Sequence, residues 1–262
     1  MPSEKMIAKK QDGVGWMILN NPERHNAISL EMWDAALEIM ADFTADPTVR
    51  VMVLTGAGSK AFASGADISK FKDERQEAEA LVRYQATTQK AYAAIQAMPI
   101  PTIAMVRGYC IGGGTAVAVC CDLRICNEGA KFGIPAAKLG LGYGMGRAKP
   151  LVDLVGPAYA KEMFFTGRQF DAQEALRMGL VNRVVADDAL ESTVQDMART
   201  IAENAPLTVR CAKTVVGELM KDARERNVAA AERAVEACFQ SADYKEGQAA
   251  FMEKRKPRFI GA

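Results

Sequence analysis

Ile103-Ala104-Met105-Val106-Arg107-Gly108-Tyr109-Cys110-Ile111-Gly112-Gly113-Gly114-Thr115-Ala116 reads as a short apolar strand, a tight connection and a helix that begins on glycines. A second stretch has the same design: Val51-Met52-Val53-Leu54 leads through Gly56 and Gly58 to Ala63-Ser64-Gly65-Ala66-Asp67. Both end in small residues at an expected helix start, where unpaired N–H groups gather and missing side chains let a ligand approach the backbone. Two such starts facing one point would make an oxyanion hole, a pair of preorganised donors aimed at developing negative charge. The alternative is that these glycines only permit tight turns and close helix packing.

Working outward, two strand-like runs at 6–9 and 14–19 flank Asp12-Gly13 and read as a hairpin. Ser29 is placed to cap a helix with Leu30, Trp33, Leu37, Met40 and Phe43 at helical spacing, stopped by Asp46-Pro47. Strands are expected at 49–54, 103–106 and 123–126, and helices at 75–97, 146–154 and 158–165. Strands alternating with helices imply an α/β layer. From Asp187 onward the pattern is helical, over 189–204, 206–219, 228–241 and 244–254. The chain therefore divides into a core over 1–200 and a helical appendage over 201–262, with no repeated sequence segment.

Composition narrows the function classes. In 262 residues, apolar side chains make up 49% and Lys+Arg 33 balance Asp+Glu 32, which is a globular chain without a field for nucleic acid or a membrane surface. An anionic ligand must be held locally. The first residues contain no apolar targeting core, and the apolar run 116–121 stops at Asp122, so a cytoplasmic protein is expected. Six cysteines form no C-x-x-C pair and His25 is the only histidine, which removes zinc-ligand spacing and favours reduced thiols. Serine-hydrolase, dinucleotide and Walker motifs are absent, so no metal or redox cofactor is expected.

At these same residues the chain resembles the enoyl-CoA hydratase/isomerase (crotonase) family. The resemblance is carried in order by Asn26-Ala27-Ile28, by 62–68 and by 108–114, then by Cys121-Asp122, Phe165-Thr166-Gly167, Ala172-Gln173-Glu174-Ala175, Gly179-Leu180-Val181-Asn182 and 251–256. It implies an α/β fold made of a spiral of ββα units with a helical C-terminal trimerisation segment, assembled as a homotrimer or a dimer of trimers. It also implies an acyl-CoA substrate in fatty acid metabolism, with coenzyme A as part of the substrate rather than a cofactor. The thioester oxygen would lie between the N–H groups of Ala66 and Gly113, beside Gly112. Coenzyme A would contact Arg24, Ala27, Ser64, Asp67 and Ile68, with Phe251 and Lys254 closing over the nucleotide.

One departure from the family is chemical. Its hydratases carry a glutamate just after the triple glycine and another in Phe-Gly-x-Pro-Glu, whereas this chain has Ala116 and Ala136. Alanine can neither give nor take a proton, so hydration by paired carboxylates is not expected. Tyr143, followed by Arg147 and Lys149, lies in a loop similar to the tyrosine loop of methylmalonyl-CoA decarboxylases, whose C-terminal motifs also resemble Asp243 to Gly247 and Phe251 to Pro257. Those enzymes carry histidine where this chain has Ala66. A lyase is the first expectation; a malonyl-type decarboxylase and a non-catalytic acyl-CoA-binding protein are the alternatives. Asp73 and Glu74 are further candidate acids, and Tyr143 has a packing role as its alternative.

Overall fold

Asp12 and Gly13 both take left-handed backbone angles, φ 52° and 80°, in a two-residue turn whose twist suits a hairpin. They join β1 (Met6–Gln11) to β2 (Val14–Leu19). The computed structural model describes residues 4–67 and 78–262. After β2, α1 (Leu30–Ala45) opens on Ser29, whose hydroxyl accepts from the Met32 N–H, and it buries Met32, Trp33, Ile39, Met40 and Phe43. It returns the chain to β3 (Val51–Gly56), which lies parallel to β2.

From β3 the chain makes one move three times. β3 leads to β4 (Ala61–Ala63), β5 (Thr102–Val106) leads to β6 (Tyr109–Ile111), and β7 (Leu123–Asn127) leads to β8 (Lys131–Gly133). Two further strands are β9 (Phe170–Asp171) and β10 (Arg183–Val185). The first strand of each pair enters a six-stranded sheet, β1-β2-β3-β5-β7-β10, and the second enters a four-stranded sheet, β4-β6-β8-β9. The helices α2 (Ala78–Gln96) and α3 (Gly113–Ala118) follow the first two pairs. This is the expected spiral of ββα units, and its repetition is architectural, since the units share no repeated sequence.

The large sheet is buried on both faces, and the alternation of side chains sorts its residues. Val51, Val53, Ile103, Met105 and Ile125 pack with Leu190, Val194 and Ala198 of α6 (Leu190–Glu203). Met52, Leu54, Ala104, Val106 and Cys126 face the larger core with Phe43, Phe62 and Phe132. In the sequence between β8 and α6 come α4 (Met145–Thr166) and α5 (Ala172–Arg177). The two helices expected over 146–165 form one element, broken where Gly156 takes φ 73° and ψ 168°.

The last helices are α7 (Pro206–Leu219), α8 (Val228–Gln240) and α9 (Ala242–Met252). Residue 200, the expected division, lies within α6. Neither α7 nor α8 contains a fully buried residue, and Val216, Leu219, Val228, Val235 and Phe239 stand exposed. Lys213 fastens α7 to the core, reaching the Asp122 carboxylate at 2.7 Å and the Ile100 carbonyl at 2.9 Å. Arg50 donates to the Ala202 and Phe259 carbonyls and so ties the tail to β3.

Candidate functional site

The site begins at a turn that one asparagine holds. Pro22–Arg24 forms a single 3₁₀ turn, after which His25 and Asn26 both adopt positive φ, 51° and 54°. Asn26 is fully buried, and its carboxamide donates to the Ala57 and Ala61 carbonyls while accepting from the Asn21 N–H. A short polar side chain that tolerates left-handed geometry is what this place requires. The turn is thereby pinned to the β3–β4 connection.

Beyond it, residues 24–28 run beside 64–67. The Ser64 N–H donates to the His25 carbonyl, Ile28 N–H to the Gly65 carbonyl, and Asp67 N–H to the Ile28 carbonyl, at 2.8–3.0 Å. Ile28 therefore spends both its backbone groups on the neighbours of Ala66, its bridge partner. In a parallel ladder the intervening residue then points its own N–H to the opposite side.

On that opposite side lies the start of α3. Gly65, at φ 104°, packs backbone to backbone on Gly112 and Gly113: a Cβ added to Gly65 would sit 3.2 Å from the Gly113 nitrogen. A Cβ added to Gly113 would sit 3.5 Å from the Ala66 nitrogen. Gly114 lies tighter still, since a Cβ there would come within 2.2 Å of the Ala63 carbonyl oxygen, so only glycine lets α3 dock on β4. Thr115, fully buried, holds α3 through its hydroxyl to the Cys110 and Gly133 carbonyls, and Gly112 N–H donates to Gly133. Among the described residues neither the Ala66 nor the Gly113 N–H has an acceptor. Two free amides from separate turns of the spiral thus stand side by side.

The positions at which the resemblance expects the two glutamates are apolar. Ala116, one helical turn past Gly113, and Ala136 are both buried and belong to one core cluster. Tyr143 packs against that cluster, its ring 4.9 Å from the Phe164 ring, and burial pushes its hydroxyl up to about 12. It is a neutral donor at any working pH. Cys120 donates its thiol hydrogen to the Ala116 carbonyl, and burial raises its titration well above the usual thiol range.

Of the expected coenzyme A contacts, Arg24, Ala27, Ser64 and Asp67 are brought together. Arg24 lies 3.6 Å from the buried Asp67 carboxylate, and the Ser64 hydroxyl donates to the Arg24 carbonyl. Among the described residues Phe251 and Lys254 make no hydrogen bond or ion pair with this group: Phe251 stands exposed on α9 beside Val209 and Ala212 of α7, and Lys254 follows that helix. Ile68, Asp73 and Glu74 lie outside the described residues. Sequence reading missed the work of Asn26 and Gly65. Asparagine ahead of an apolar pair in a turn was the available signal for the first; the second needs the fold.

The enoyl-CoA hydratase/isomerase family model matches residues 9–262. The chain is 39% identical over 263 aligned residues to a crotonyl-CoA hydratase of Syntrophomonas wolfei, with 99% of each chain covered. It is 34% identical to a short-chain-enoyl-CoA hydratase of Clostridium acetobutylicum, covering 98% of this chain and 97% of that protein. The crystal structure of an enoyl-CoA hydratase from Bacillus anthracis superposes with a TM-score of 0.92 at 31% identity, covering 99% of this chain and 100% of that one.

Proposed function

The chain belongs to the enoyl-CoA hydratase/isomerase family, and from that premise we propose that it is a lyase acting on an acyl-CoA thioester whose oxygen is held between the Ala66 and Gly113 N–H groups. The observation that carries this reading is the backbone contact of Gly65 with Gly112 and Gly113, which leaves both amides without an acceptor among the described residues. Charge that moves onto the thioester oxygen as an enolate forms is met by donors already in place, an effect of about 3 kcal/mol for one donor. Arg24, Ala27, Ser64 and Asp67 support a coenzyme A path along the 24–28 turn.

Decarboxylation is the second reading, favoured by Ala116 and Ala136. Loss of carbon dioxide leaves its electron pair on the α-carbon, so it needs no base and is hindered by nearby carboxylates. A panel of acyl-CoA thioesters followed by mass spectrometry separates hydration, isomerisation, hydrolysis and decarboxylation. A protein that binds them all without turning any over is the non-catalytic alternative.

Two further results are expected. Tyr143→Phe deletes the one hydroxyl of the loop tyrosine that packs on Phe164, and turnover on the true substrate falls at least ~10-fold while coenzyme A affinity holds. Unchanged turnover makes Tyr143 a packing residue. Assembly through the 201–262 segment rests on the exposed apolar residues of α7 and α8, with Leu207 and Val215 half-buried between them. Light scattering at micromolar concentration is expected to report a trimer or a dimer of trimers; a monomer overturns that assignment.

A further inference from the structure

A charge buried in a protein is ordinarily answered by an opposite charge bonded to it. Arg124, the second residue of β7, departs from this. It is 2% exposed, and its guanidinium donates to four main-chain carbonyls: Nε to Leu180 at 2.7 Å, Nη1 to Ala118 and Cys121, and Nη2 to Asp122. Among the described residues no carboxylate bonds to it. The Asp122 carboxylate is turned to other partners, accepting from the Thr102 N–H at 2.7 Å and hydroxyl at 3.0 Å and from Lys213 at 2.7 Å. Cys110, Cys120 and Cys121 also act on Arg124, but burial raises all three thiols and keeps them neutral. With Lys213 and Arg124 set against Asp122 alone, one positive charge remains locally unmatched.

The place of that charge gives it a use. Ala118 is the last residue of α3, and the Cys121 N–H bonds back to it, so the cation holds the end of the helix whose other end presents the Gly113 N–H. A cation suits a helix C-terminus, where carbonyls left without partners gather negative charge. Between the two ends α3 reads Gly113-Gly114-Thr115-Ala116-Val117-Ala118, buried from Gly114 onward and without an ionisable side chain. Five residues of rise at about 1.5 Å each, with a hydrogen bond at either end, set the guanidinium roughly 15 Å from the expected thioester oxygen. Through an interior of effective dielectric constant about 20, a unit charge at that range favours a developing oxyanion roughly 5- to 10-fold.

We infer that Arg124 strengthens the oxyanion hole from the far end of α3, as an unmatched positive charge bonded to the carbonyls at that helix's C-terminus. It is a positioning residue, because it acts through α3 and not by contact with the ligand. This rests on the acyl-CoA reading above and adds a residue to it, whichever reaction follows. A guanidinium suits the task because its planar fork reaches three segments at once: the end of α3, the turn before β7, and Leu180 beyond α5. It also keeps its proton when buried, so the charge is present at any working pH.

Infrared spectroscopy of butyryl-CoA carrying a ¹³C label at the thioester carbonyl reads the polarisation of that bond without requiring turnover. Bound to the wild type, the carbonyl stretch is expected at lower frequency than in free butyryl-CoA. Arg124→Gln, which keeps an amide donor and removes the charge, should lose part of that displacement. Arg124→Lys, which keeps the charge with fewer bonds, should retain it. For a thioester that the protein turns over, Arg124→Gln should lower kcat roughly 5- to 10-fold with KM unchanged. A displacement that survives intact in Arg124→Gln overturns the inference and leaves the oxyanion hole standing. Equal losses in the two variants, or failure of both to fold, make Arg124 a packing residue of α3 and also overturn it. Butyryl-CoA that binds the wild type with no displacement removes the oxyanion reading, and this inference with it; butyryl-CoA and coenzyme A that do not bind at all remove the acyl-CoA reading as well.

Discussion

Gly113→Pro is expected to lower kcat/KM on the true acyl-CoA substrate by about two to three orders of magnitude, the cost of removing one oxyanion donor. The substitution is well suited to the place, because Gly113 is the first residue of α3 and proline is tolerated there. It deletes the N–H and leaves the rest of the helix its hydrogen bonds. Gly113→Ala is the companion variant: its added Cβ would lie 3.4 Å from the Gly65 Cα, an ordinary contact, and the N–H remains. Steady-state kinetics on both variants separate donor loss from crowding. A large loss in proline and a small one in alanine assign the effect to the N–H; equal losses assign it to shape, and an unaffected proline variant removes Gly113 from the chemistry.

Crotonyl-CoA hydration by the wild type is expected to be slower, by roughly four orders of magnitude or more, than by a hydratase with both glutamates in place. A positioned acid or base contributes about 10² to 10⁴ each, and at Ala116 and Ala136 there is none. Both alanines are buried in the core cluster, and neither side chain can give or take a proton. Absorbance of the enoyl thioester follows the reaction directly. Efficient hydration would mean that a carboxylate reaches the α-carbon from elsewhere, and Asp73→Asn and Glu74→Gln would be the variants that identify it.

The larger elements could be read from the sequence because each carries its own periodicity. Val51-Met52-Val53-Leu54 and the C-terminal helices lie where their patterns put them, and Ser29 caps α1 as its position suggests. The small sheet could not be read. β4, β6 and β8 have three residues each, too few for an alternation to register, and they exist because neighbouring turns of the spiral supply their partners. The same holds for the site. Its glycines are visible in the sequence, but the contact between Gly65 and Gly113 joins residues on different turns, and no local rule brings them together.

The two free amides have a genetic consequence. They belong to the main chain, so substitutions cannot remove them except by proline or by crowding out the packing that Gly65 and Gly114 allow. Side chains at 116, 136 and 143 are under no such constraint, because among the described residues none of them bonds to either amide. If these amides hold the thioester as proposed, a lineage carrying this scaffold can exchange the side chains around them one codon at a time and keep that anchor throughout. Loss of one reaction and acquisition of another need pass through no intermediate that has stopped binding its substrate.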